Sequence, residues 1–512
     1  MPVPWMVVGL FLSAGASKPA DCPADASWLK STTPPAEVPG GGASLCNFQQ
    51  FAWADFLALN QPLQGPGPLQ YETWMTKEGL FQPSVYDANR STPFPWGAQM
   101  PVPPQCKSVA AAVKGKPVRV MRLVKKGGFA DEIQQAGSNT APLVDQSGNW
   151  VHFEQRLNQT QYDYITGCGL YATSCFDTLG SDTGNGSSDP TTIEFPAQSI
   201  EIKTSWKVLD RGDADVRSRY YTVEAFVQPA SATNPGCEAQ LLGLVGFHIV
   251  HKTPDHPESV WETFEHEDDA PDCFSAAAKA PSGKPWSFYN PSCSGTACPT
   301  NLFRNACNAN GACPKGAETT FACGKDLNQT CQTVGTCPST SPPQPASAYC
   351  SYCWDPTCAS AAIPTQACRD FPIGFGGKGF VDSSIEALNK SVHALLPPGS
   401  VWRHYKLVGT EWFGPPKPEK VTITYGSNGK ATNPLEGSVN LSNVTMETYN
   451  QGLSGGCFAC HNGSFGKSSD PFPQADFSHL FAGMTIRGSG ACKSPPGMKC
   501  PATFSPGAAR KR

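Results

Sequence analysis

The stretch LLGLVGFHIV at residues 241–250 contains only one ionisable side chain, that of His248. A continuous apolar run of this length predicts a strand that is buried on both faces. The run ends in polar residues, because His251 and Lys252 follow it. We therefore expect residues 148–252 to form a β-rich core around this strand.

Helical periodicity appears upstream of this strand. Residues 48–59 read FQQFAWADFLAL, and the pattern stops at Asn60-Gln61-Pro62. The apolar residues fall near helical spacing, which predicts a first helix packed in the core. Residues 256–266 are also expected to form a short helix.

The C-terminal part mixes strand and helix signals. Residues 401–408 and 420–425 are predicted as strands. Asn443 is a candidate N-cap for a helix through residue 453, and Asp476 is expected to cap a last short helix.

Composition limits the class of protein. The chain has 512 residues, a net charge of −4 and only 16% charged residues. These values argue against binding to nucleic acid or to an acidic membrane surface. No apolar run reaches the roughly 18 residues of a membrane span. The 49 glycines and 49 prolines favour loops and β-structure over a helical bundle.

A CxxCH motif, Cys457-Phe458-Ala459-Cys460-His461, is the strongest functional signal. It predicts covalent attachment of one haem c, because two thiols add to the haem vinyl groups and the adjacent imidazole binds iron. Positions i, i+3 and i+4 share one face of a helix, so all three side chains reach one porphyrin. A second CxxC at residues 350–353 is followed by Trp354 and lacks this iron ligand.

Cysteine usage and the N-terminus both predict export. Removing Cys457 and Cys460 from the 22 cysteines leaves 20, an even number that suits disulfides formed outside a reducing cytosol. Residues 5–12 read WMVVGLFL and precede Ala14-Gly15-Ala16, which is typical of a signal peptide over residues 1–16. A buried first helix is the alternative. We expect a periplasmic or extracellular protein.

Residues 273–368 contain 12 of the 22 cysteines and are rich in Pro, Ser, Thr and Gly. We interpret this segment as a disulfide-stapled insertion, with zinc knuckles as the alternative. Cys492 and Cys500 are expected to form a local disulfide in the tail. Five acidic residues near His266 are candidates for Ca²⁺ binding or proton relay, although a solvated loop is the expected structure; they are Glu265, Glu267, Asp268, Asp269 and Asp272.

The sequence offers several candidates for the sixth iron ligand. His461 is the proximal ligand, and the distal candidates are His251, His248, Met498 and Met484. His479 is a weaker candidate, since we expect it on an exposed helix face. An unliganded distal position is a further alternative, with Arg403 and His404 as candidates for polarising bound peroxide.

Several blocks together resemble a family of exported bacterial mono-haem proteins, the cytochrome c family. They are FAWADFLALN at 51–60, HPESVWETFEHEDDAPD at 256–272, NVTMETY at 443–449, the CxxCH motif, and ADFS at 475–478. The resemblance spans both ends and the middle of the chain, while the insertion is peculiar to this chain or to a subgroup. It implies haem binding and electron transfer, and it implies no particular substrate.

We therefore predict a mixed α+β, loop-rich fold, with a β-containing core and short helices around a covalently bound haem. The predicted parts are a signal peptide (1–16), an N-terminal α+β domain (17–272), the insertion (273–368) and a haem-bearing region (369–512). The expected function is one-electron transfer to a redox partner protein. The alternatives are a haem enzyme of the peroxidase or oxygenase class, and a binding protein in which haem is structural.

Overall fold

A computed structural model gives the fold of most of the chain. It describes residues 22–63, 65, 67–110, 119–121, 143–176, 193–213, 215–227, 237–275, 277–293, 298, 300–301, 321–322, 332–333, 364–376, 380–381, 383–414, 423–424, 431–438, 440–451, 455–461, 476–481, 484–486, 492 and 498–500. The expected signal peptide, most of the insertion and most of the expected strand at 420–425 lie outside these residues.

The described residues form short helices and a larger set of strands. Helices α1–α8 are Leu45–Leu59, Lys77–Phe81, Lys107–Ala110, Gln159–Cys168, Thr173–Phe176, Val216–Arg219, Ser383–Leu395 and Gly456–His461. Strands β1–β13 are Met75–Thr76, Arg119–Val120, His152–Leu157, Ile200–Val208, Thr222–Val227, Glu238–His251, Val260–His266, Phe321–Ala322, Gln332–Thr333, Phe375–Gly376, Phe380–Val381, Tyr405–Phe413 and Leu435–Gly437.

Strand β6 lies at the centre of a nine-stranded sheet. The strand order is β1-β3-β4-β6-β7-β12-β13, and β5 pairs with both β6 and β2. The antiparallel partners of β6 are β4, β5 and β7. The prediction of a buried strand at residues 241–250 is confirmed, and residues 241–247 are buried without exception. The mixed fold class is also as predicted.

A bulge in β6 decides which side chains point to each face of the sheet. Ser205 of β4 pairs with Gly246 and Trp206 pairs with Leu244, so Val245 is an extra residue without a partner on β4. Side-chain alternation shifts by one residue at such a bulge. Leu244 therefore shares a face and a core cluster with Phe247, whereas His248 points to the opposite face.

Helix α1 covers the face that carries Phe247. Ser44 caps the helix by accepting a hydrogen bond from the backbone N–H of Asn47 at 3.3 Å. Trp53 and Phe56 are both 0% exposed, and both rings contact Phe264 of β7. Burial of each such ring contributes about 1.5–3 kcal/mol. The predicted first helix is thus confirmed, with a start three residues earlier than residue 48.

Residues 256–266 do not form the expected helix, because Val260–His266 is strand β7. All seven residues of β7 are buried, on both faces. Polar residues buried on both faces hide the period-two pattern that identifies a strand. Residues 401–408 are also only partly a strand, since Val401–His404 is a 3₁₀ helix before β12 begins.

Two expected C-terminal helices are also absent from the described residues. Asn443 does cap a turn, because its side chain accepts from the Thr445 N–H at 2.9 Å, but residues 444–451 continue as turns. Asp476 and Phe477 have φ values of 51° and 63°, which helical residues do not adopt. Backbone angles of this kind leave no signal in hydrophobic spacing.

Cysteine pairs at disulfide distance connect distant parts of the chain. The pairs are Cys22–Cys46, Cys106–Cys237, Cys168–Cys500, Cys175–Cys492, Cys273–Cys368 and Cys293–Cys298. The expected Cys492–Cys500 disulfide is wrong, because each cysteine pairs with a different one in residues 168–175. These pairs fit a protein that matures outside a reducing compartment.

The region from residue 369 onwards contributes to the same sheet as the upstream region. Strand β12 pairs with β7 and β13, so residues 405–413 lie directly beside residues 260–266. None of the helices in the described part of the chain combines the length and hydropathy that a membrane span requires.

A substitution at Gly246 tests how closely the sheet packs against the turn at Asn443. A Cβ atom at Gly246 would overlap the hydroxyl oxygens of Ser205 and Thr445. We predict that Gly246→Ala lowers the free energy of unfolding by about 1–3 kcal/mol in urea titrations. Gly212→Ala is the control, because its Cβ would meet only the flexible Asp210 carboxylate at 3.3 Å. Equal losses in the two variants would contradict this packing.

Candidate functional site

A cavity lies over the face of the sheet opposite helix α1. It encloses ≈ 1040 Å³ of space outside protein atoms, open solvent at its mouth included. The CxxCH residues Cys457, Cys460 and His461 all line it.

The sheet forms the floor of the cavity, and two rows of side chains point to this side of the sheet. The members of these rows that line the cavity are Gln155, Glu201, Lys203, His248, Val250 and Trp261. Residues paired across antiparallel strands point to the same face. One row is Gln155, Lys203, His248 and Thr263, which lie opposite one another on β3, β4, β6 and β7. The next row is Glu201, Val250, Trp261 and Glu411, on β4, β6, β7 and β12.

The opposite wall comes from the C-terminal region. It consists of residues 441–451, helix α8 and the segment at His479 and Leu480. Cys457 and Cys460 are the only cysteines without a disulfide in the described part of the chain. The structure therefore separates these two thiols from the cysteines that crosslink the fold.

The His461 imidazole is held in one orientation. Its Nδ1 atom lies 2.8 Å from the carbonyl oxygen of Phe477. A carbonyl only accepts, so Nδ1 carries the proton and the lone pair is on Nε2. Burial lowers the pKa of His461 to about 4, so the ring is neutral at neutral pH. A neutral imidazole with a free Nε2 is the form that binds a metal.

Two rings pack against His461. The Trp261 ring centroid lies 4.5 Å from that of His461. The His479 ring stacks on the His461 ring, with 4.1 Å between centroids and 20° between planes. The pKa of His479 lies well below its ordinary value, chiefly because the ring is buried and to a smaller extent because His461 is close. Both imidazoles are therefore uncharged at neutral pH and stack without repulsion.

Glu411 fastens helix α8 to the sheet. Its carboxylate is 0% exposed and accepts the Cys457 backbone N–H at 2.7 Å. A further hydrogen bond comes from the Phe458 backbone. The carboxylate lies so close to Gly456 that a Cβ there would be 2.5 Å from Oε1. Glu411 thus fixes the position of Cys457 near the start of helix α8.

The structure brings one candidate for the distal iron ligand, His248, to the cavity floor. Its Nε2 lies 3.2 Å from the Glu447 carboxylate, and its Nδ1 contacts the Thr263 hydroxyl. Burial would raise the pKa of Glu447, but His248 and the Lys203 ammonium outweigh burial and lower it. Glu447 is therefore an anion that orients the His248 ring.

The other distal candidates lie away from the cavity lining. His251 is on the α1 face, where its Nδ1 is 2.7 Å from the Asp55 carboxylate. Met484 and Met498 pack in a separate apolar cluster with Cys168. No described contact places any of these three beside His461.

The candidates for polarising peroxide are also outside the lining. His404 Nδ1 lies 2.6 Å from Glu267, and Arg403 precedes it on the 3₁₀ helix. The acidic residues near His266 are not a solvated loop, since Glu265, Asp268 and Asp269 are 0% exposed. Ion pairs compensate their charge, as in Glu265 with Arg369 and Asp268 with Arg219.

Sequence reasoning missed three groups that form the site, namely Glu411, Glu447 and the carbonyl of Phe477. His479 was expected on an exposed helix face, and it instead stacks on His461. The sequence alternation of β7 and β12, once recognised, places Trp261 and Glu411 on one face. No sequence signal points to the left-handed backbone at Phe477 that directs its carbonyl to His461.

No protein-family model matches this chain, and no curated protein or solved structure matches it either. The resemblance to exported mono-haem cytochromes therefore stays a prediction.

The contact between Glu411 and helix α8 yields a stability prediction. Glu411→Ala removes the acceptor of the buried Cys457 N–H and should lower the free energy of unfolding by about 1–3 kcal/mol. Burial holds the pKa of Glu411 well above its ordinary value, so Glu411→Gln is a close neutral substitute and should cost less. Urea titration at neutral pH measures both. Equal losses for Ala and Gln would contradict the hydrogen bond.

Proposed function

We propose that this chain is an exported mono-haem c-type cytochrome that transfers single electrons. The observation that carries the proposal is the joint position of Cys457, Cys460 and His461 on helix α8 at the cavity wall. The two thiols form no disulfide. Both thiols and the imidazole line the same cavity.

The donor set suits covalent haem. Cys457 and Cys460 supply the thioether sulfurs, and His461 supplies the proximal nitrogen through Nε2. The Phe477 carbonyl fixes the tautomer of His461 at 2.8 Å, as an outer partner of a metal-binding histidine usually does. When bound, haem c iron carries one electron by alternating between the ferric and ferrous states.

The cavity lining is suited to setting the reduction potential of a bound haem. Trp261 and Val250 make one part of the cavity lining apolar, while Lys203 and Glu447 make another part charged. Burial, charge and hydrogen bonding around a haem set its reduction potential. His248 is the candidate sixth ligand on the wall, and ligation would require release of its contact with Glu447 or Thr263.

The proposed location is the periplasm. The disulfides at Cys22–Cys46 and Cys106–Cys237 fit an oxidising compartment, and the signal pattern in residues 1–16 supports export. A redox protein that docks at the cavity mouth is the proposed partner.

A haem enzyme of the peroxidase or oxygenase class is the second candidate. The observation that favours it is the His248–Glu447 pair at 3.2 Å on the cavity wall. An imidazole oriented by a carboxylate is suited to exchanging a proton with a molecule bound in the cavity.

Covalent attachment gives the first functional prediction. Replacing Cys457 and Cys460 together by Ala should abolish haem staining on denaturing gels, because no thioether can form. The matched control replaces Cys22 and Cys46, which removes a disulfide and leaves the motif intact; its staining should persist. Staining that survives the loss of Cys457 and Cys460 would overturn the proposal.

Ligand binding separates the two candidate functions. For an electron carrier we predict a low-spin absorption spectrum that CO and cyanide leave unchanged. His248→Ala should then make the haem reactive to cyanide, whereas Met484→Ala should not. Rapid cyanide binding by the unmodified protein would favour the enzyme and count against simple electron transfer.

A further inference from the structure

Asp476 and Phe477 share a backbone conformation that is uncommon for any residue except glycine. Their φ values are 51° and 63°, and the Cβ atom of an L residue makes this left-handed region costly. Consecutive residues of this kind persist only where surrounding contacts hold them, and such strain is concentrated at functional sites. The contacts of these two residues therefore indicate what the strained backbone does.

The strained backbone supplies the contact with the proposed iron ligand. The Phe477 carbonyl oxygen lies 2.8 Å from His461 Nδ1. Two residues later, the His479 ring stacks on the His461 ring. One short segment thus contacts His461 both at a ring nitrogen and on the ring face, so the position of this segment decides how the imidazole is held.

The Phe477 ring anchors one side of the segment. The residue is 4% exposed, and its ring centroid lies 5.7 Å from those of Phe413 on β12 and Phe458 on α8. Burial of apolar surface stabilises this position, but the hydrophobic effect is non-directional. Burial of the ring therefore does not determine where the backbone carbonyl points.

The Asp476 carboxylate anchors the other side of the segment. Its Oδ2 atom accepts the Phe195 backbone N–H at 2.7 Å and the Lys252 ammonium at 2.7 Å. The Asp476 and Lys252 side chains are only 7% and 5% exposed. Charge-assisted hydrogen bonds are short and strong, and salt screens a buried pair far less than an exposed one. The pair is therefore suited to holding a costly backbone conformation.

The backbone fixes Lys252 at the end of strand β6. Its N–H donates to the Ser199 carbonyl at 2.9 Å, and its carbonyl accepts the Gln198 N–H at 2.6 Å. The Glu194 carboxylate also lies 3.9 Å from the Lys252 ammonium, but the Glu194 side chain is 74% exposed. An exposed pair of this kind contributes little. Asp476 is thus the buried partner of a cation that the sheet holds in place.

We propose that the Lys252–Asp476 ion pair positions the Phe477 carbonyl against His461 and thereby sets how strongly His461 binds haem iron. The inference rests on the proposed function. Both members of the pair lie outside the cavity lining, so they are positioning residues that act through Phe477.

The expected effect on the reduction potential follows from the hydrogen bond. A carbonyl that accepts the Nδ1 proton of an imidazole makes its Nε2 a stronger donor to a metal. A stronger donor stabilises ferric iron relative to ferrous iron, which lowers the potential. Loss of the ion pair should therefore raise it.

The test is the midpoint potential of the haem-loaded protein. Lys252→Met keeps the length of the side chain but removes the ammonium, so the Asp476 carboxylate loses its buried cation. We predict an upward shift of the potential in Lys252→Met. Lys252→Arg restores a cation and should return the potential towards that of the unmodified protein. No shift in folded Lys252→Met, or an equal shift in Lys252→Arg, would overturn the proposal.

Arg119→Met is the matched control. Arg119 forms an ion pair with Glu154 at 3.0 Å, and these side chains are 7% and 3% exposed. Arg119 packs on the Trp206 ring, which belongs to the core cluster beneath helix α1. The variant should lower the stability of the fold and leave the potential unchanged. An equal upward shift in Arg119→Met would reduce the effect to general destabilisation and overturn the proposal.

Asp476→Asn keeps the test decisive if Lys252→Met does not fold. Asparagine tolerates left-handed backbone angles, and its amide oxygen can still accept the Phe195 N–H. Lys252 keeps Glu194 as a counter-charge. The potential should shift upward, by less than in Lys252→Met. An unchanged potential in this variant would contradict the role of the ion pair.

Hydrogen exchange at His461 separates this inference from the proposed function. Labelling the nine histidines with ¹⁵N makes the Nδ1 proton of His461 visible by NMR, whether or not haem is attached. This proton should exchange slowly in the unmodified protein and in Arg119→Met, and faster in Lys252→Met. Equal exchange in all of them would overturn the positioning role alone. Purified protein without haem would overturn the proposed function, and the exchange rates would still test the ion pair.

Discussion

Strand β6 is buried on both faces, so its backbone hydrogen bonds have to be satisfied within the sheet. Pairing with β4, β5 and β7 meets this requirement. The side chains of β6 can therefore differ in chemistry between the two faces of the sheet. After the bulge at Val245, His248 points to the cavity and His251 points to Asp55 beneath α1. The cavity floor therefore depends on the register of one strand.

The apolar parts of this arrangement were predictable from sequence, and the polar parts were not. Helix α1 and strand β6 have strong periodicity or continuous apolar character, and both are present. Strand β7 was predicted as a helix because its buried polar residues, such as Glu262 and Thr263, hide the period-two pattern of a strand. Sequence spacing does not distinguish a buried, paired acid from an exposed one, whereas the fold does.

The same limit applies to the site. The CxxCH motif identified Cys457, Cys460 and His461 because its chemistry is local in sequence. Glu411 comes from a distant strand and bonds to the motif, whereas Glu447 comes from a turn and contacts His248 in the same cavity. Tertiary structure alone brings these groups together. Each buried hydrogen bond of this kind contributes about 0.5–1.5 kcal/mol, and more where a charge takes part. A handful of such bonds is enough to fix where helix α8 sits on the sheet.

The proposed function requires that Cys457 and Cys460 attach haem covalently. The most direct measurement is the intact mass of the purified protein, followed by mass analysis of the peptide that contains the motif. We predict a mass above that of the polypeptide by one haem, with both thioether links on this peptide. A mass equal to the polypeptide alone, with Cys457 and Cys460 joined as a disulfide, would contradict the claim.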